Sequence, residues 1–246
     1  MDSGFYAACA ALVSRTQALD TIANNLANVS TTGFRATHNV FSSMLAQSGA
    51  EPVSVLNQDA NDYDLLSKTQ LDSSQGSLVN TNNPMDFAIE GQGYFAVQTA
   101  SGVEFTRGGT FRVTAQHQLV TSEGDPLLGP TGPIVLPPGP ISVSSDGTIA
   151  VNGATAGRFR MVEFPPNVQL GSSGRSYYTA PASAKPAAVT TSTVHQGALE
   201  SSNVNPVTSV IELITAQRDV ERMRNVLSLL NGQMDKTAAQ DLPRVG

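Results

Sequence analysis

The chain has 246 residues, of which 14% are charged and 40% are hydrophobic, and its formal net charge is −6. This length allows one large domain or two modest ones with a hydrophobic core. The chain has no cluster of basic residues, which excludes the electrostatic footprint of a nucleic-acid-binding protein and the basic amphipathic helix of a membrane-surface protein. No run of residues reaches the roughly 18 apolar positions of a membrane span.

The first residues, MDSGFYAACAALVSR, predict a helix rather than a targeting segment. Asp2 is acidic and no basic residue precedes the apolar stretch, so we expect no conventional cleaved signal peptide. The chain's only cysteine, Cys9, has no partner for an internal disulfide. Its place on an apolar helical stripe predicts a small buried side chain rather than a reactive thiol.

Apolar residues in this N-terminal segment repeat every seven positions and again three positions later. This spacing predicts a narrow two-position seam, typical of a coiled coil, rather than a broad globular face. Arg15 is the one misfit. The seam positions are Phe5, Leu12, Leu19 and Leu26, followed at three residues by Ala8, Arg15, Ile22 and Val29.

The seam runs into NNLANVSTTGF, an unusually polar ending for a helix. Asn24, Asn25 and Asn28 offer amide donors and acceptors to neighbouring helices without adding charge. The alternative is that these asparagines only fray the helix end. Gly33 then permits the chain to turn, and Phe34 is the expected anchor after the turn.

The helical pattern weakens after this turn and gives way to a β pattern. Residues 37–77 predict a linker with short extended pieces. From about residue 78 to residue 194 the period changes to two, and Gly, Pro, Asn and Asp separate the short apolar runs, which predicts a β-rich central domain over 78–198.

One hairpin of this central domain has a register that follows from the side-chain pattern. In ISVSSDGTIAV, a three-residue loop over 145–147 pairs Val143 with Ile149 and Ile141 with Val151. All four apolar side chains then share one face, and Gly147 takes the left-handed position that such loops require. A two-residue loop would place them on opposite faces.

The C-terminal segment repeats the seven-residue pattern of the N-terminus. In SSNVNPVTSVIEL, Asn205 is a candidate helix cap and Pro206 suits the first helical position. The seam positions are Leu213, Val220, Leu227 and Met234, followed at three residues by Ala216, Met223 and Leu230.

Two interpretations of the matching ends remain open at this point. Each helix could pack on the protein's own core, or the two could form a coiled coil with each other. Three or more heptads at each end favour the coiled coil. The free energy gained by burying the side chains of a single two-helix contact is small compared with the entropy cost of ordering such long helices. We therefore expect these ends to need further partners.

No pattern in the sequence marks out a catalytic, cofactor-binding or metal site. GATAGR lacks the Gly-Lys-Ser/Thr end of a phosphate-binding loop and GQGYF follows no βαβ unit, so both are interpreted as turns. DANDYDLLSKTQ fails as a calcium loop because Asp64 stands where glycine is needed. His38, His117 and His195 have no metal-ligand spacing, and no GxSxG motif occurs. We therefore predict a protein without a cofactor or metal that is not an enzyme.

Three segments closely resemble those of flagellar basal-body rod and hook proteins. DTIANNLANVSTTGFRA resembles the N-terminal signature of that family, and LESSNVNPVTSVIELITAQRDVERMRNVL its C-terminal signature. GSLVNTNNPMDFAIEGQGYFAV is similar to the entry into the central domain. The resemblance covers the whole chain. The sequence differs from the family at Val220, where members often carry an aromatic residue.

The resemblance implies an α+β fold in which N- and C-terminal helices form a coiled-coil inner layer and a central β-rich domain lies outside it. The implied segments are an axial helix over 1–36, a linker over 37–77, a central domain over 78–198, and an axial helix and tail over 199–246. The implied function is that of a structural rod subunit that polymerises helically and transmits torque.

The resemblance also implies partners and a location. The partners are copies of the chain, other rod subunits and the flagellar type III export apparatus, and the location is the rod in the periplasmic space. Length and terminal segments are most similar to proximal-rod subunits, with distal-rod subunits as the alternative. A self-contained β-rich binding or adhesive module is the alternative from a different class.

The resemblance assigns an assembly role to residues that periodicity leaves unexplained. In a tubular assembly a helix has several packed faces, so polar amides contact neighbouring helices and fix their register. The assembly motif implied in this way comprises Asn24, Asn25, Asn28, Gly33, Phe34, Asn203 and Asn205. The assembly seam comprises Phe5, Leu12, Leu19, Ile22, Leu26, Leu213, Val220, Met223 and Leu227.

Overall fold

The structure is a computed structural model that describes residues 2–41, 67–165, 168–174, 176–182, 184, 186–189 and 191–241. Two long helices lie at the ends of the chain, α1 over Asp2–Ala27 and α2 over Pro206–Asp241. Most of the rejected calcium loop lies outside the described residues.

All described regular structure between the helices is β. The strands are β1 Thr37–Phe41, β2 Ser67–Leu71, β3 Leu78–Asn80, β4 Phe87–Glu90, β5 Tyr94–Thr99, β6 Gly102–Thr106, β7 Phe111–Val113, β8 Leu119–Thr121, β9 Leu128–Gly129, β10 Gly132–Pro133, β11 Ile141–Val143, β12 Thr148–Val151, β13 Ala154–Arg158, β14 Met161–Glu163, β15 Gly171–Gly174, β16 Tyr177–Thr179, β17 Ala187–Ala188, β18 Thr193–Gln196 and β19 Ala198–Glu200. The predicted α+β fold, with terminal helices and a β-rich middle, is confirmed.

The chain divides into two compact units. One contains the helices and comprises Met1–Leu26, His38–Thr69 and Pro206–Gly246. The other, the central unit, comprises Ala27–Thr37 and Gln70–Asn205. The segments that follow α1 and precede α2 therefore belong to the central unit.

The central unit is built around a six-stranded sheet with the strand order β15-β16-β6-β5-β14-β17. Strands β11, β12 and β13 form a three-stranded sheet, and two-stranded sheets complete the unit. Both faces of β5 are buried. Phe95 and Val97 belong to one hydrophobic cluster, and Tyr94 and Ala96 to a second cluster on the other face.

Aromatic side chains fill the larger cluster. The rings of Phe87, Phe95 and Phe111 surround Phe159, and the Phe95–Phe159 centroids are 5.2 Å apart in an edge-to-face arrangement. Such pairs stabilise a core beyond the area that they bury. The central unit therefore has the hydrophobic core that an independently folded domain needs.

The predicted hairpin register is confirmed. Val143 pairs with Ile149 and Ile141 with Val151, and Gly147 has a φ of 82°. Ile149 and Val151 are buried in the larger cluster. Within the loop, the Thr148 hydroxyl and backbone N–H donate hydrogen bonds to the Asp146 carboxylate. These hydrogen bonds lower the pKa of Asp146.

The interpretation of GATAGR as a turn is wrong beyond its first residue. Gly153 lies in a turn with a φ of 79°, but Ala154–Arg158 forms β13 and pairs with β12. The register shifts at Ile149/Ala150, which marks a β-bulge. This edge strand has little apolar content, so it gives almost no signal of period two.

Candidate functional site

The chain leaves α1 through a tight turn made by the polar motif. The Thr31 backbone N–H donates to the Asn28 carbonyl oxygen at 3.1 Å, and the Thr31 hydroxyl donates to the Asn28 side-chain oxygen at 3.1 Å. The Phe34 N–H then donates to the Thr31 carbonyl at 3.3 Å. Asn28 therefore stabilises the turn that follows α1. Leu26, a seam residue, lies two positions before Asn28.

Gly33 occupies a position that no other residue fits. Its φ is 67°, and a Cβ atom added there would lie 2.3 Å from the carbonyl carbon of Arg107 and from the amide nitrogen of Gly108. Its N–H donates to the Glu200 carbonyl at 2.8 Å, and its carbonyl accepts a hydrogen bond from the Tyr178 hydroxyl at 3.0 Å. The absence of a side chain thus lets the two terminal motifs meet.

A buried carboxylate joins both motifs to the central unit. Glu200 Oε1 lies 2.8 Å from Arg35 Nη2, and Glu200 Oε2 lies 3.1 Å from Arg107 Nη1. All three side chains are 1% exposed. Glu200 Oε1 also accepts a hydrogen bond from the Gly76 N–H at 2.9 Å. We call Gly33–Ala36, Arg107, Glu200 and Asn203 the terminal clasp.

Backbone and aromatic neighbours hold Arg107 further, whereas Arg35 Nε, Arg35 Nη1 and Arg107 Nε are buried without a hydrogen-bond partner among the described residues. Arg107 donates to the carbonyls of Ile89 and Gly91, and its guanidinium lies 4.8 Å from the centroid of the Tyr94 ring. Burial lowers the pKa of Arg107, and Glu200 opposes that effect. Burial raises the pKa of Tyr178, so its hydroxyl stays protonated at neutral pH and donates to Gly33.

Asn203, a residue of the predicted assembly motif, fastens the other side of the clasp. Its side-chain oxygen accepts from the Ala36 N–H at 2.7 Å, and its amide donates to the carbonyls of Asp72 and Ser74. Phe34, Ala36 and Val204 form a small buried cluster beside it. The chain therefore enters and leaves the central unit at one polar junction whose ion pairs are buried and whose Asn203 is half-buried.

The predicted seam of α2 coincides with its less exposed face. Between residues 206 and 229, the positions that are not exposed recur at intervals of three and four residues, with Asp219 directly before Val220. They are Ser209, Leu213, Ala216, Asp219, Val220, Met223 and Leu227. Among the seam residues whose side chains the structure describes, Val220 is the most buried, with 4% exposure. The side chains of Leu230 and Met234 lie outside the described residues.

The seam residues of α1 are half-buried. Leu12, Leu19, Ile22 and Leu26 share this state with Cys9, whereas Arg15, the misfit of the pattern, is exposed. Phe5 lies in α1, and its side chain is outside the described residues. Of the assembly-motif residues, Asn25 is buried, Asn24 and Asn205 are exposed, and the predicted α2 start at Pro206 is confirmed.

The two helices face a common cavity of about 270 Å³. Arg15, Ala18 and Ile22 line it from α1, and Ile211, Thr215 and Ala216 are among the α2 residues that line it. Seam residues of both helices thus border the same space. Interdigitated coiled-coil packing stays a prediction.

Outside its seam, α2 carries further apolar side chains that are exposed to solvent, in two groups over 207–214 and 226–229. Val207 is 68% exposed and Leu229 is 70% exposed. We call this set the outer stripe, and it comprises Val207, Val210, Ile211, Ile214, Val226 and Leu229.

Neither a cluster of metal-ligating side chains nor a membrane-spanning helix occurs among the described residues. Within them, no group of three or more His, Cys, Asp and Glu side chains is placed to hold a metal ion. In the same part of the chain, neither helix is both long and apolar enough to cross a membrane.

Four residues of this site were not predicted from the sequence: Arg35, Arg107, Tyr178 and Glu200. Arg35 and Glu200 stand inside the two terminal motifs, yet neither follows a periodicity, and Arg107 lies 93 residues before Glu200. The sequence did contain one signal, which is a charged residue within a motif of apolar and small residues. Since a charged side chain is rarely buried unless it is paired, such a residue is expected to have a partner of opposite charge.

Comparison with known proteins matches both terminal motifs and the central unit. Residues 5–35 match the family of flagella basal body rod proteins, and residues 88–151 match the D1 domain of the flagellar hook proteins FlgE, FlgF and FlgG. Residues 195–240 match the C-terminal region of the flagellar basal body rod FlgEFG proteins.

Relatives extend this similarity over almost the whole chain. The basal-body rod protein FlgF of Mesorhizobium japonicum is 36% identical over 225 residues, which cover 90% of both chains. FlgF of Escherichia coli strain K12 is 35% identical over 93% of this chain and 94% of the relative. The rod protein FlgG of Buchnera aphidicola subsp. Schizaphis graminum is 32% identical over 82% of this chain and 86% of the relative.

These matches confirm the family that the three sequence motifs predicted, and they place the protein among structural components of the flagellum. The chain belongs to the flagellar basal-body rod protein family, and the relatives named FlgF make it a FlgF-like rod subunit.

Proposed function

We propose that this protein is an axial subunit of the flagellar rod that polymerises helically through α1 and α2, at the cell-proximal end of the rod. The observation that carries the proposal is the outer stripe of α2. Six large apolar side chains are left in solvent on a helix whose other face already carries the seam. Exposed large apolar side chains grouped on one side of a helix mark an interaction site.

Two apolar faces on one helix call for more than one neighbour. The seam supplies the contact for one partner helix, and the outer stripe supplies a contact for another. Contacts between different faces of identical subunits are heterologous and generate a helix when they do not close into a ring. The coiled-coil inner layer of terminal helices is the assembly that follows.

Uncharged amides give such an assembly its register. Asn24 is exposed in the last turn of α1, where its amide reaches a neighbouring helix without bringing in charge, and Asn25 beside it is buried within the subunit. A polar residue in a mostly apolar seam fixes the alignment of the helices. Phe5, Leu12, Leu19, Ile22 and Leu26 complete the seam of α1.

The terminal clasp is the element that passes torque from the helical layer to the central domain. Arg35 and Glu200 stand near the ends of the two segments that connect to the helices, and both are fixed to the central unit by buried ion pairs. A force on either helix is therefore borne by a junction with buried ion pairs.

The proposed setting is the periplasmic rod, reached through the flagellar type III export apparatus without a cleaved signal peptide. The partners are other copies of the chain and other rod subunits. The proximal position rests on the relatives named FlgF. A distal position is the second candidate because relatives named FlgG match over most of the chain as well.

Deleting the gene in its own bacterium tests the proposal. We expect the deletion to abolish swimming, the full-length chain to restore it, and mass spectrometry to find the chain in purified hook–basal bodies. Cross-links to subunits at the membrane-proximal end of the rod support the proximal position, and cross-links on the hook side assign the distal one. Absence of the chain from basal bodies of a complemented, swimming strain overturns the rod function.

A further inference from the structure

Strand β3 lies at the edge of a two-stranded sheet, and β19 is its only partner among the described strands. Just before β3, the Ser201 N–H donates to the Ser77 carbonyl at 2.9 Å, so the backbone groups of Ser77 face β19. Antiparallel residues alternate between facing the partner strand and facing away from it. Val79 therefore directs its N–H and C=O groups to β19, and Leu78 and Asn80 direct theirs away from it.

The outward backbone groups of Leu78 and Asn80 are accessible, and we call them the open edge. No hydrogen bond joins these groups to another described residue. The side chains beside them are accessible as well, since Leu78 is 38% exposed and Val79 is 49% exposed. The open edge thus combines unpaired donors and acceptors with apolar side chains.

Two other strands of the central unit show how a sheet edge is protected. Gln196 closes the outer edge of β11, because its side-chain oxygen accepts from the Val143 N–H and its amide donates to the Ile141 carbonyl, both at 3.0 Å. A register shift interrupts β15, the last strand of the six-stranded sheet. Strand β3 has neither device, and residues 73–83 contain no charge and no proline. An edge without such protection is suited to the addition of a strand.

The open edge calls for an extended segment that carries little charge. Its N–H and C=O groups pair with the backbone of such a segment, and the exposed Leu78 and Val79 favour apolar side chains on it. The chain itself contains a segment of this kind, PVSVLNQ, at residues 52–58. That segment has no charged residue, and Val53 and Val55 repeat with the period of a strand. It lies outside the described residues.

We propose that the open edge of β3 accepts residues 53–57 of an adjacent copy of the protein as an additional strand in the rod, an inference that rests on the proposed assembly. In the single chain no described residue pairs with this edge, so the added strand is assigned to a neighbouring molecule. Leu78 stands opposite Glu200 of the terminal clasp, and α2 begins at Pro206. The added strand therefore joins copies beside the junction that leads to the assembling helices. Such a contact between different surfaces of identical chains is heterologous and repeats along a helical assembly.

Chemical cross-linking in assembled rods tests the added strand. Cys9, the chain's only cysteine, is replaced by serine, and Val55→Cys is combined with Val79→Cys. Purified hook–basal bodies are then treated with a short bismaleimide, which tolerates a shift of the strand register by a residue or two. We expect a covalent dimer of the chain and no dimer from either single variant. Val55→Cys with Val103→Cys, which places the second thiol on an exposed position of β6, is the matched control and should give no dimer.

Two results would overturn the proposal. One is a cross-link within a single chain, which would show that the chain pairs with its own open edge. The other is the absence of a dimer from rods that contain the double variant. Swimming of the strain shows that its rods have formed, so either result contradicts the added strand and leaves the proposed rod function standing.

Substitutions at Leu78 assign the contact to the open edge. In the double variant, Leu78→Pro removes an N–H that faces away from β19, so the melting temperature of the soluble chain should be unchanged. The cross-linking yield should fall about fivefold, as expected for one lost hydrogen bond. Leu78→Lys places a charge on the edge and should lower the yield in the same direction. Val103→Lys is its control and should leave the yield unchanged. An unchanged yield in both Leu78 variants contradicts the assignment.

Discussion

Val220→Asp should abolish incorporation of the chain into rods while leaving the central domain folded. Val220 is 4% exposed on the seam face of α2, and an unpaired carboxylate buried at that point costs several kcal/mol. Every copy in a helical assembly repeats the loss, so the effect on polymerisation is complete rather than graded. Leu19→Asp should act in the same way from the seam of α1. Swimming and the recovery of rods from basal-body preparations measure the effect.

Gln217→Asp is the matched control for this experiment. It adds the same charge one turn away on an exposed position of the same helix, so rods and swimming should be retained. The melting transition of the central domain should be unchanged in all variants because that unit has its own core. Normal motility of Val220→Asp or Leu19→Asp would contradict the assignment of the seam.

Glu200→Gln should lower the free energy of unfolding of the central domain by about 3–5 kcal/mol, the usual effect of removing one partner from a buried ion pair. The substitution preserves shape and leaves Arg35 and Arg107 buried with no carboxylate at 2.8 and 3.1 Å. Urea unfolding followed by circular dichroism measures the change.

The exposed pair of Glu90 and His195 supplies the control for the clasp. Their side-chain atoms are 2.7 Å apart, but both groups are largely in solvent, so Glu90→Gln should change stability by less than about 1 kcal/mol. If Glu200→Gln is no more destabilising than Glu90→Gln, the clasp does not hold the termini in the way that we describe.

The features that the sequence predicted well are those with a local or periodic cause. The register of the Ile141–Val151 hairpin follows from side-chain alternation and one glycine, and the structure has that register. The helix start at Pro206 follows from the fixed φ of proline. The family followed from three motifs whose order and spacing are specific.

The terminal clasp could not be predicted because its partners are distant in the sequence. Glu200 in β19 pairs with β3, and its ion-pair partners lie before β1 and after β6. The sequence around each of these residues does not indicate that the three charged side chains are buried together. Gly33 was predicted to allow a turn, but the close approach of Arg107 behind it is a consequence of tertiary structure alone.

The measurement that tests the central claim most directly is hydrogen–deuterium exchange of the free subunit compared with assembled rods. We expect peptides from 8–26 and 207–229 to exchange rapidly in the free chain and slowly in rods, because the two helices gain most of their burial on assembly. Peptides that contain Gly33 and Ser201, whose N–H groups are bonded within the central unit, should be protected in both states. Slow exchange of both helices in the free subunit, unchanged in rods, would contradict polymerisation through the terminal helices.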